Sequence, residues 1–227
     1  MNSDWLLRDS LGDAGEFHSA DPQPRRSATF HMVGATTLVL GSAQRASDVD
    51  QRVAEALGIT VVRRRSGGGA VLLVPGEFMW FDLVIPSTDP LWLDDVGQAM
   101  VWVGEVWQRA FAELGIEATV NRTVTNTTVK NKTMGQEAPW SRQVCFAGSG
   151  LGEVVADGKK LVGVSQRRTR VTARFQSLCH FQWRPELVAA LVAEPRPSAP
   201  LLAAGVATIA APSAEVRAAL TRNLLAL

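Results

Sequence analysis

The segment 61–73 (VVRRRSGGGAVLL) joins two apolar, β-branched stretches through three arginines, a serine and three glycines. A two-residue β-hairpin needs only one or two residues that tolerate positive φ, so the segment 66–69 (SGGG) exceeds what a plain turn requires. Consecutive glycines leave backbone N–H groups uncovered by any Cβ, and such groups can surround an anion. The arginines at 63–65 suit a carboxylate or a phosphate. We therefore predict an anion-binding loop between two strands; the alternative is a mobile loop with solvated arginines.

Two known phosphate-binding motifs do not match this loop. The Walker pattern is excluded because no Gly-Lys-Ser/Thr follows the glycines. A dinucleotide fingerprint requires a helix after the glycines, whereas the residues after Gly69 have the β-branched pattern of a strand.

Composition narrows the class of protein. The chain has 227 residues, of which 46% are hydrophobic, and this is enough to bury a substantial core. Its 23 basic and 22 acidic residues nearly balance, so we expect neither nucleic-acid binding nor binding to a membrane. The start, MNSDWLLRDSLGDAGE, has no apolar signal segment, and the only cysteines are Cys145 and Cys179. We therefore expect a cytoplasmic protein with reduced thiols. Its three scattered histidines predict no protein-bound metal.

Strand and helix patterns alternate along the chain and predict an α+β fold. We expect the polar residues 1–28 to be a loosely ordered N-terminal segment and residues 29–227 to form a single domain. Apolar stretches predict strands at 29–40, 59–64, 70–74, 78–85, 116–120, 144–147, 153–156, 159–166 and 175–183. Helical spacing and caps predict helices at 47–57, 92–114, 185–194 and 213–227. The polar segment 121–142 predicts a long loop. The strands within 144–166 predict a second, small antiparallel sheet.

Asp82 interrupts an otherwise apolar strand, 78–85 (FMWFDLVI). A polar side chain in such a run either faces water at period two or points into a site. The alternation of side chains along the strand favours an Asp82 side chain that faces water.

Two motifs, in the same order as in the family, resemble the signatures of lipoate–protein ligases. The segment 63–71 (RRRSGGGAV) resembles their RR-x-S-G-G-G-A-V signature, and the segment 159–163 (KKLVG) resembles their K-x-x-G strand. The resemblance runs from residue 29 to residue 183 and includes the segment 40–44 (LGSAQ). It implies the catalytic fold shared by biotin and lipoate ligases, in which a larger mixed sheet flanked by helices lies beside a smaller sheet.

The resemblance also implies roles for individual residues. Lys160, whose spacing to Gly163 matches the motif, would hold the activated acyl group, because an ammonium stabilises charge that develops in acyl transfer. Successive residues of a strand face opposite sides, so only one of Lys159 and Lys160 can reach the site, and the alternative is a solvent-facing edge. The residues that would bind the nucleotide and the acyl group are Arg64, Ser66, Gly67, Gly68, Gly69, Ala70, Val71, Leu72 and Gly163.

Other segments match a related class of enzyme. Where the ligases usually carry His-Asp-x-Gly-Asn, this chain has the segment 73–77 (LVPGE). Cys145-Phe146, followed by Glu153 and Lys160, is similar to the thiol-dependent octanoyl transferases related to the ligases. That similarity implies that Cys145 takes octanoate from acyl carrier protein as a thioester and passes it to the target lysine. The alternative is that Cys145 is a small buried apolar residue. Cys179 matches neither class and is interpreted as structural.

The resemblance implies an enzyme that attaches a lipoyl or octanoyl group to a lysine of a lipoyl domain. A lipoate–protein ligase would use ATP with Mg²⁺, and an octanoyl transferase that uses Cys145 would need neither. The acceptors would be lipoyl domains of 2-oxoacid dehydrogenases or the glycine cleavage H protein, with acyl carrier protein as a donor for the transferase. The glycine motif favours the ligase, and the transferase is the close alternative. A third hypothesis is an inactive relative that only binds an acyl group or a carrier domain.

Overall fold

Two sheets of unequal size form the framework of the protein. The computed structural model describes residues 5–122 and 142–227, so nearly all of the loop predicted at 121–142 lies outside the described residues. The strands are β1 (Leu6–Gly12), β2 (Ser27–Val33), β3 (Thr37–Leu40), β4 (Thr60–Arg63), β5 (Val71–Leu73), β6 (Phe78–Pro86), β7 (Thr119–Val120), β8 (Val154–Ala156), β9 (Lys159–Arg168) and β10 (Thr172–His180). The helices are α1 (Ala14–Ser19), α2 (Gln51–Ala56), α3 (Val101–Glu113), α4 (Pro185–Leu191), α5 (Ala199–Gly205) and α6 (Ser213–Leu225). Among the described helices, none has both the length and the apolar composition that crossing a membrane requires.

The larger sheet contains seven strands in the order β1-β2-β6-β10-β9-β8-β7. β1 pairs with β2 in parallel, and the other neighbouring pairs are antiparallel. The smaller sheet has the order β4-β3-β5, in which β4 is parallel and β5 antiparallel to the central strand. The predicted α+β class, with a mixed main sheet and a smaller second sheet, is confirmed.

The larger sheet has one face covered by helices and another that faces the smaller sheet. Alternate residues of a strand point to opposite faces, and in β6 Phe81 and Leu83 are fully buried in a core formed with α3 and α6. Trp80 points the other way and packs in a cluster with Val39 and Leu73 of the smaller sheet. Side chains from both sheets therefore meet on this second face.

Local sequence signals explain where several elements begin. The Asp50 carboxylate accepts a hydrogen bond from the Val53 N–H at 3.2 Å and caps α2. Asp157 and Gly158, both at positive φ, form the tight turn between β8 and β9. The helix predicted at 92–114 begins later, because α3 starts at Val101 after a 3-10 turn at Gln98–Met100.

The N-terminal segment belongs to the larger sheet, in contrast to the loosely ordered start predicted for residues 1–28. β1 forms one edge of that sheet, and Trp5, immediately before it, is buried. Asp13 caps α1 by accepting a hydrogen bond from the Glu16 N–H at 3.0 Å. The strand escaped prediction because most of its residues are exposed or half-buried, so its sequence lacks a clear apolar face. That residues 29–227 form a domain by themselves stays a prediction.

Three further elements differ from the prediction. β8 and β9 extend the larger sheet, whereas the segment 144–166 was predicted to form a separate small sheet; β3, β4 and β5 form the smaller sheet instead. The strand predicted at 144–147 is a 3-10 turn at Cys145–Ala147. Helix α5 (Ala199–Gly205) lies between the helices predicted at 185–194 and 213–227, where no element was predicted.

Asp82 is buried, although its place in the strand favoured contact with water. Arg174 Nε donates to its Oδ2 at 2.8 Å, and Trp80 Nε1 donates to its Oδ1 at 2.6 Å. Burial raises the pKa of Asp82, but the charges of Arg174 and His31 more than offset this effect and hold the pKa below its usual range. The expected exposure was wrong because the partner that allows burial is 92 positions away along the chain.

Candidate functional site

Strand β9 presents Lys160 to the interior and Lys159 to solvent. Only 4% of Lys160 is exposed. Its ammonium Nζ donates to the backbone oxygen of Cys145 at 2.9 Å and lies 3.9 Å from the Cys145 sulfur. It also lies 2.6 Å from Oε1 of Glu153. One of the two lysines therefore points inward, as the alternation of the strand predicts, and it lies beside the cysteine.

Glu153 fixes the position and the charge of Lys160. Its Oε2 accepts a hydrogen bond from the Gly150 N–H at 2.6 Å, and its Oε1 accepts one from the Val164 N–H at 3.3 Å. Burial lowers the pKa of Lys160, but the charges of a Cys145 thiolate and of Glu153 outweigh burial and raise the pKa above its ordinary value. Lys160 is therefore a cation at neutral pH.

Gly163 leaves room for the Lys160 side chain. A Cβ at position 163 would lie 3.2 Å from Lys160 Cε and 3.3 Å from Phe146 Cζ, closer than ordinary van der Waals contact. Lys160 Nζ lies 4.8 Å from the centroid of the Phe146 ring, within reach of a cation–π interaction. The spacing of the lysine and the glycine thus has a steric cause in this chain.

Backbone pairing joins the glycine loop, residues 66–69, to the segment that carries Cys145. The Ala70 N–H donates to the Gln143 oxygen at 2.7 Å, and the Cys145 N–H donates to the Ala70 oxygen at 3.0 Å. A Cβ on Gly69 would lie 2.6 Å from the backbone carbon of Val144, a distance that real Cβ atoms do not show. Glycine is therefore required at position 69, because the Cys145 segment runs directly against the loop.

Arg64 is buried and holds the glycine loop through its carbonyl groups. Its Nη2 donates to the oxygens of Gly67 and Gly69, each at 2.8 Å, and its Nη1 donates to the Val39 oxygen at 3.4 Å. Gly68 has φ +96°, and a Cβ there would lie 2.9 Å from Arg64 Nη2. The guanidinium therefore ties together the loop and the central strand of the smaller sheet.

The two neighbouring arginines also have partners within the protein. Arg63 donates to the backbone oxygens of Gly41 and Gln44, and Arg65 Nη1 donates to Asp21 Oδ1 at 2.6 Å. The arginine run thus stabilises the loop and its surroundings. Anion binding by the loop stays a prediction.

A pocket between the two sheets has Cys145 in its wall. It contains about 460 Å³ of empty space, including space open to solvent. Most of its lining is apolar and comes from both sheets: Val39, Val71, Leu73, Trp80, Val164 and Leu178. Arg64 and Gly163 also line it. The apolar lining suits an acyl chain whose carbonyl lies near the cysteine.

The residues predicted for the site are not all at this pocket. Ala70 and Leu72 lie in the apolar cluster on the opposite face of the smaller sheet, where their side chains pack in the core. Ser66, the first residue of the loop, is buried and donates to Gln176 Oε1 at 3.1 Å. Cys179 is fully buried in the main core, and burial raises the pKa of its thiol beyond its ordinary range.

The sequence interpretation missed His18 and Gln176, which also line the pocket. His18 lies in a segment whose polar composition gave no sign of regular structure. Gln176 lies on β10 in a run with no recognised motif. The strand alternation of β10 offered a signal, because Gln176 and Leu178 face the same side two positions apart.

Solved structures share this arrangement of two sheets and helices. Lipoate-protein ligase A bound with ATP superimposes with a TM-score of 0.70 at 20% identity, covering 98% of this chain and 84% of that one. The Ta0514 protein of Thermoplasma acidophilum with bound lipoic acid gives a TM-score of 0.71 at 18% identity, with the same coverage. A bi-partite lipoate protein ligase of that archaeon, studied with its E2 lipoyl domain, gives a TM-score of 0.67 at 18% identity. The superposition covers 95% of this chain and 81% of that one. The fold is therefore that of a lipoate ligase catalytic domain.

The sequence matches agree with the fold. The family described as the lipoyl protein ligase A/B catalytic domain matches residues 17–223, and the chain belongs to this family. The octanoyltransferase LipM of Exiguobacterium sp. (strain ATCC BAA-1283 / AT1b) is 26% identical over 167 residues, which are 73% of this chain. The match spans only 53% of that protein, so this chain aligns with about half the length of the curated relative.

Proposed function

We propose that the protein is a thiol-dependent acyltransferase that moves an octanoyl or lipoyl group onto a lysine of a lipoyl domain, with Cys145 as the acyl carrier. The observation that carries the proposal is the position of the Cys145 sulfur, in the wall of the apolar pocket and 3.9 Å from the buried ammonium of Lys160. The curated relative is itself an octanoyltransferase.

The reaction would proceed in two acyl transfers. The Cys145 thiolate attacks the carbonyl carbon of the donor thioester, a new C–S bond forms, and the donor's thiolate leaves with the electron pair of the old C–S bond. The neutral ε-amine of the acceptor lysine then attacks the Cys145 thioester. A C–N bond forms as the C–S bond breaks, the nitrogen gives a proton to solvent, and the Cys145 thiolate is regenerated.

Lys160 would stabilise the negative charges of this sequence. An ammonium close to the sulfur stabilises the thiolate, and the same group can stabilise the oxyanion that develops on the carbonyl oxygen. Glu153 holds the ammonium through the 2.6 Å contact and is itself held by the Gly150 and Val164 N–H groups. In this scheme Lys160 is a catalytic residue and Glu153 a positioning residue.

A lipoate–protein ligase that uses ATP with Mg²⁺ is the second candidate, and the glycine motif favours it. The residues around the loop do not fit a triphosphate well, because Arg63, Arg64 and Arg65 each already have a partner among the described residues. Glu77, in the segment where the ligases carry His-Asp-x-Gly-Asn, is paired with Arg184. Together these residues offer a phosphate few donors, so we place the transferase first.

The partners follow from the proposed chemistry. The acceptor would be a lipoyl domain of a 2-oxoacid dehydrogenase or the glycine cleavage H protein, and acyl carrier protein would supply the octanoyl thioester. A structural relative was studied with its E2 lipoyl domain, which supports the first of these partners. Both cysteines are free thiols, which fits the reducing cytoplasm expected for such partners.

One assay separates the candidates. The protein is incubated with an apo lipoyl domain and either octanoyl acyl carrier protein or lipoate with MgATP, and the mass of the acceptor is measured. We expect an octanoyl adduct with the carrier thioester alone. Modification only with MgATP would select the ligase and overturn the transferase, and no mass gain in either mixture would support an inactive binding relative.

Substitution of the two cysteines tests the carrier role. Cys145→Ser should stop the transfer and the formation of an acyl-enzyme adduct, whereas Cys179→Ala, which removes a thiol buried in the main core, should keep both. Trapping of the acyl group on a peptide that contains Cys145 would support the proposal directly. A transfer rate that survives Cys145→Ser would exclude the thioester route.

A further inference from the structure

His18 on α1 forms part of the pocket wall and is held on two sides. Its ring stacks on Trp80 with 4.5 Å between ring centroids and an interplanar angle of 23°. Its Nδ1 lies 3.1 Å from Gln176 Nε2. Only 7% of the residue is exposed. A polar ring is thus fixed in a pocket that is otherwise mostly apolar.

A directed chain of hydrogen bonds leads to His18. Ser165 Oγ donates to Ser66 Oγ at 3.1 Å, and Ser66 Oγ donates to Gln176 Oε1 at 3.1 Å. The amide nitrogen of Gln176 therefore faces His18 and donates to Nδ1. A neutral imidazole that accepts at Nδ1 carries its proton at Nε2. Among the described residues none accepts a hydrogen bond from this Nε2–H, and His18 lines the pocket, so the chain ends in a donor without a protein partner.

The ring is neutral at physiological pH. Burial lowers the pKa of His18 to about 3; the nearby Asp82 opposes this effect, and the charges of Arg174, Arg64 and His31 add to it. The group at the pocket is therefore an uncharged N–H donor and not an imidazolium.

Arg174 holds the backbone on both sides of His18. Its Nη2 donates to the Phe17 oxygen at 2.8 Å, and its Nη1 donates to the Ala20 oxygen at 3.2 Å. The same guanidinium is paired with Asp82, which accepts from the Trp80 ring on which His18 stacks. The donor is therefore pre-positioned before any ligand binds.

His18 contacts the pocket lining at Gln176, two residues along β10 from Leu178. Gly163 and Leu178, paired across β9 and β10, mark the end near Lys160, and Ser165 and Gln176 form the next pair on the same face. Two residues of a strand span roughly 7 Å, so the Gln176 side chain that contacts His18 is displaced by about that length along the sheet from the pair near Lys160. A chain attached at Cys145 therefore approaches His18 with its distal half.

We infer that His18 selects acyl chains that carry an oxygen or sulfur acceptor in their distal half over unsubstituted saturated chains. This inference rests on the proposed acyl transfer and names its substrate class. A saturated chain that covers the Nε2–H leaves a buried donor unpaired, whereas a hydroxyl group or a dithiolane sulfur accepts from it. The difference corresponds to about tenfold in affinity for an oxygen acceptor, and less for a sulfur.

Calorimetric titration of the full chain with the free acids octanoate, 8-hydroxyoctanoate and lipoate tests the inference without requiring catalysis. The wild-type protein should bind 8-hydroxyoctanoate about tenfold more tightly than octanoate, with lipoate between them. His18→Phe keeps an aromatic ring on Trp80 and should reverse the preference. His180→Phe, which removes a buried histidine outside this pocket, should leave it unchanged.

The outcomes separate this inference from the proposed function. Equal affinity for all three acids, or a preference that His18→Phe does not alter, overturns the role of His18 and leaves the acyl pocket in place. Failure of every acid to bind overturns the role of His18, and the transfer assay with octanoyl acyl carrier protein then decides the proposed function separately. If His18→Phe does not fold, nitrogen-15 spectra of the three histidines in the wild-type protein decide instead: the inference requires a neutral His18 protonated at Nε2 whose signal shifts with 8-hydroxyoctanoate.

Discussion

Gly163 and Lys160 share one strand, and the space that a side chain on Gly163 would occupy is filled by the aliphatic part of Lys160. A Cβ on Gly163 would lie 3.2 Å from Lys160 Cε and 3.5 Å from Nζ. The position of the Lys160 ammonium therefore depends on the absence of a side chain at position 163.

Gly163→Ala should lower the transfer rate by about tenfold, because the ammonium must shift by a few tenths of an ångström from its place beside the cysteine. Single-turnover transfer from octanoyl acyl carrier protein measures the effect. Gly34→Ala is the matched control, since a Cβ there meets nothing within 4 Å. Equal rates for the two variants would contradict the steric role of Gly163.

Gly69→Ala should cost more, about 100-fold in transfer rate, because the new Cβ would overlap the backbone that precedes Cys145 and displace the sulfur. Gly67→Ala tests the same loop without this clash, since nothing lies within 4 Å of a Cβ at that position. The rate at which iodoacetamide labels Cys145 provides a second readout. If both variants transfer equally well, contact between the loop and the Cys145 segment does not position the thiol.

Arg64→Lys should destabilise the folded protein by roughly 2–4 kcal/mol, because an ammonium cannot replace a guanidinium that donates to several carbonyls. Arg65→Lys changes a half-exposed side chain paired with the exposed Asp21 and should cost less than about 0.5 kcal/mol. Urea unfolding of the two variants measures the difference. A smaller loss for Arg64→Lys than for Arg65→Lys would be incompatible with its role in holding the loop.

The stability of the protein should fall as the pH is lowered from about 6.5 toward 3. Burial lowers the pKa of His18 and, together with the charge of Lys160, that of His180, from 6.5 to about 3 in each case. The unfolded chain therefore binds more protons in this window, and each histidine contributes up to about 1.4 kcal/mol per pH unit. Unfolding in urea at pH 7.5, 6.0 and 5.0 measures the slope while most carboxylates remain ionised.

His180→Phe is the matched variant for the pH experiment. The new ring keeps the aromatic contacts with Phe146 and Trp183, whose centroids lie 4.7 and 4.9 Å from that of His180. The variant should lose about half of the slope between pH 6.0 and 5.0. An unchanged slope would show that His180 does not titrate with the low pKa assigned to it.

The parts of the fold that the sequence predicts are those determined by neighbours along the chain. The inward direction of Lys160 follows from strand alternation, and its distance from Gly163 follows from the motif. β6 was predicted because its residues are apolar except for Asp82. The mixed main sheet and smaller sheet were implied by the resemblance, which carried information that local patterns lack.

The parts that local reasoning missed depend on contacts between distant segments. Asp82 was expected to face water, yet Arg174 from the adjacent strand makes its burial possible. β1 looked irregular because its stability comes from pairing with β2 at the sheet edge. His18 joins the pocket only because Arg174 and Gln176 hold it there. In each case the partner lies far away in sequence, and no periodicity marks the pair.

The parallel bridge between Ala70 and Val144 positions the backbone of the segment that carries Cys145 through main-chain groups alone. The hydrogen bonds on either side of Ala70 involve no side chain, so replacement of the residue at 145 leaves its Cα where it was. The chemistry of the pocket and its architecture can therefore change independently. A scaffold of this kind can exchange the thiol for another group by a single substitution, while the apolar pocket keeps its lining.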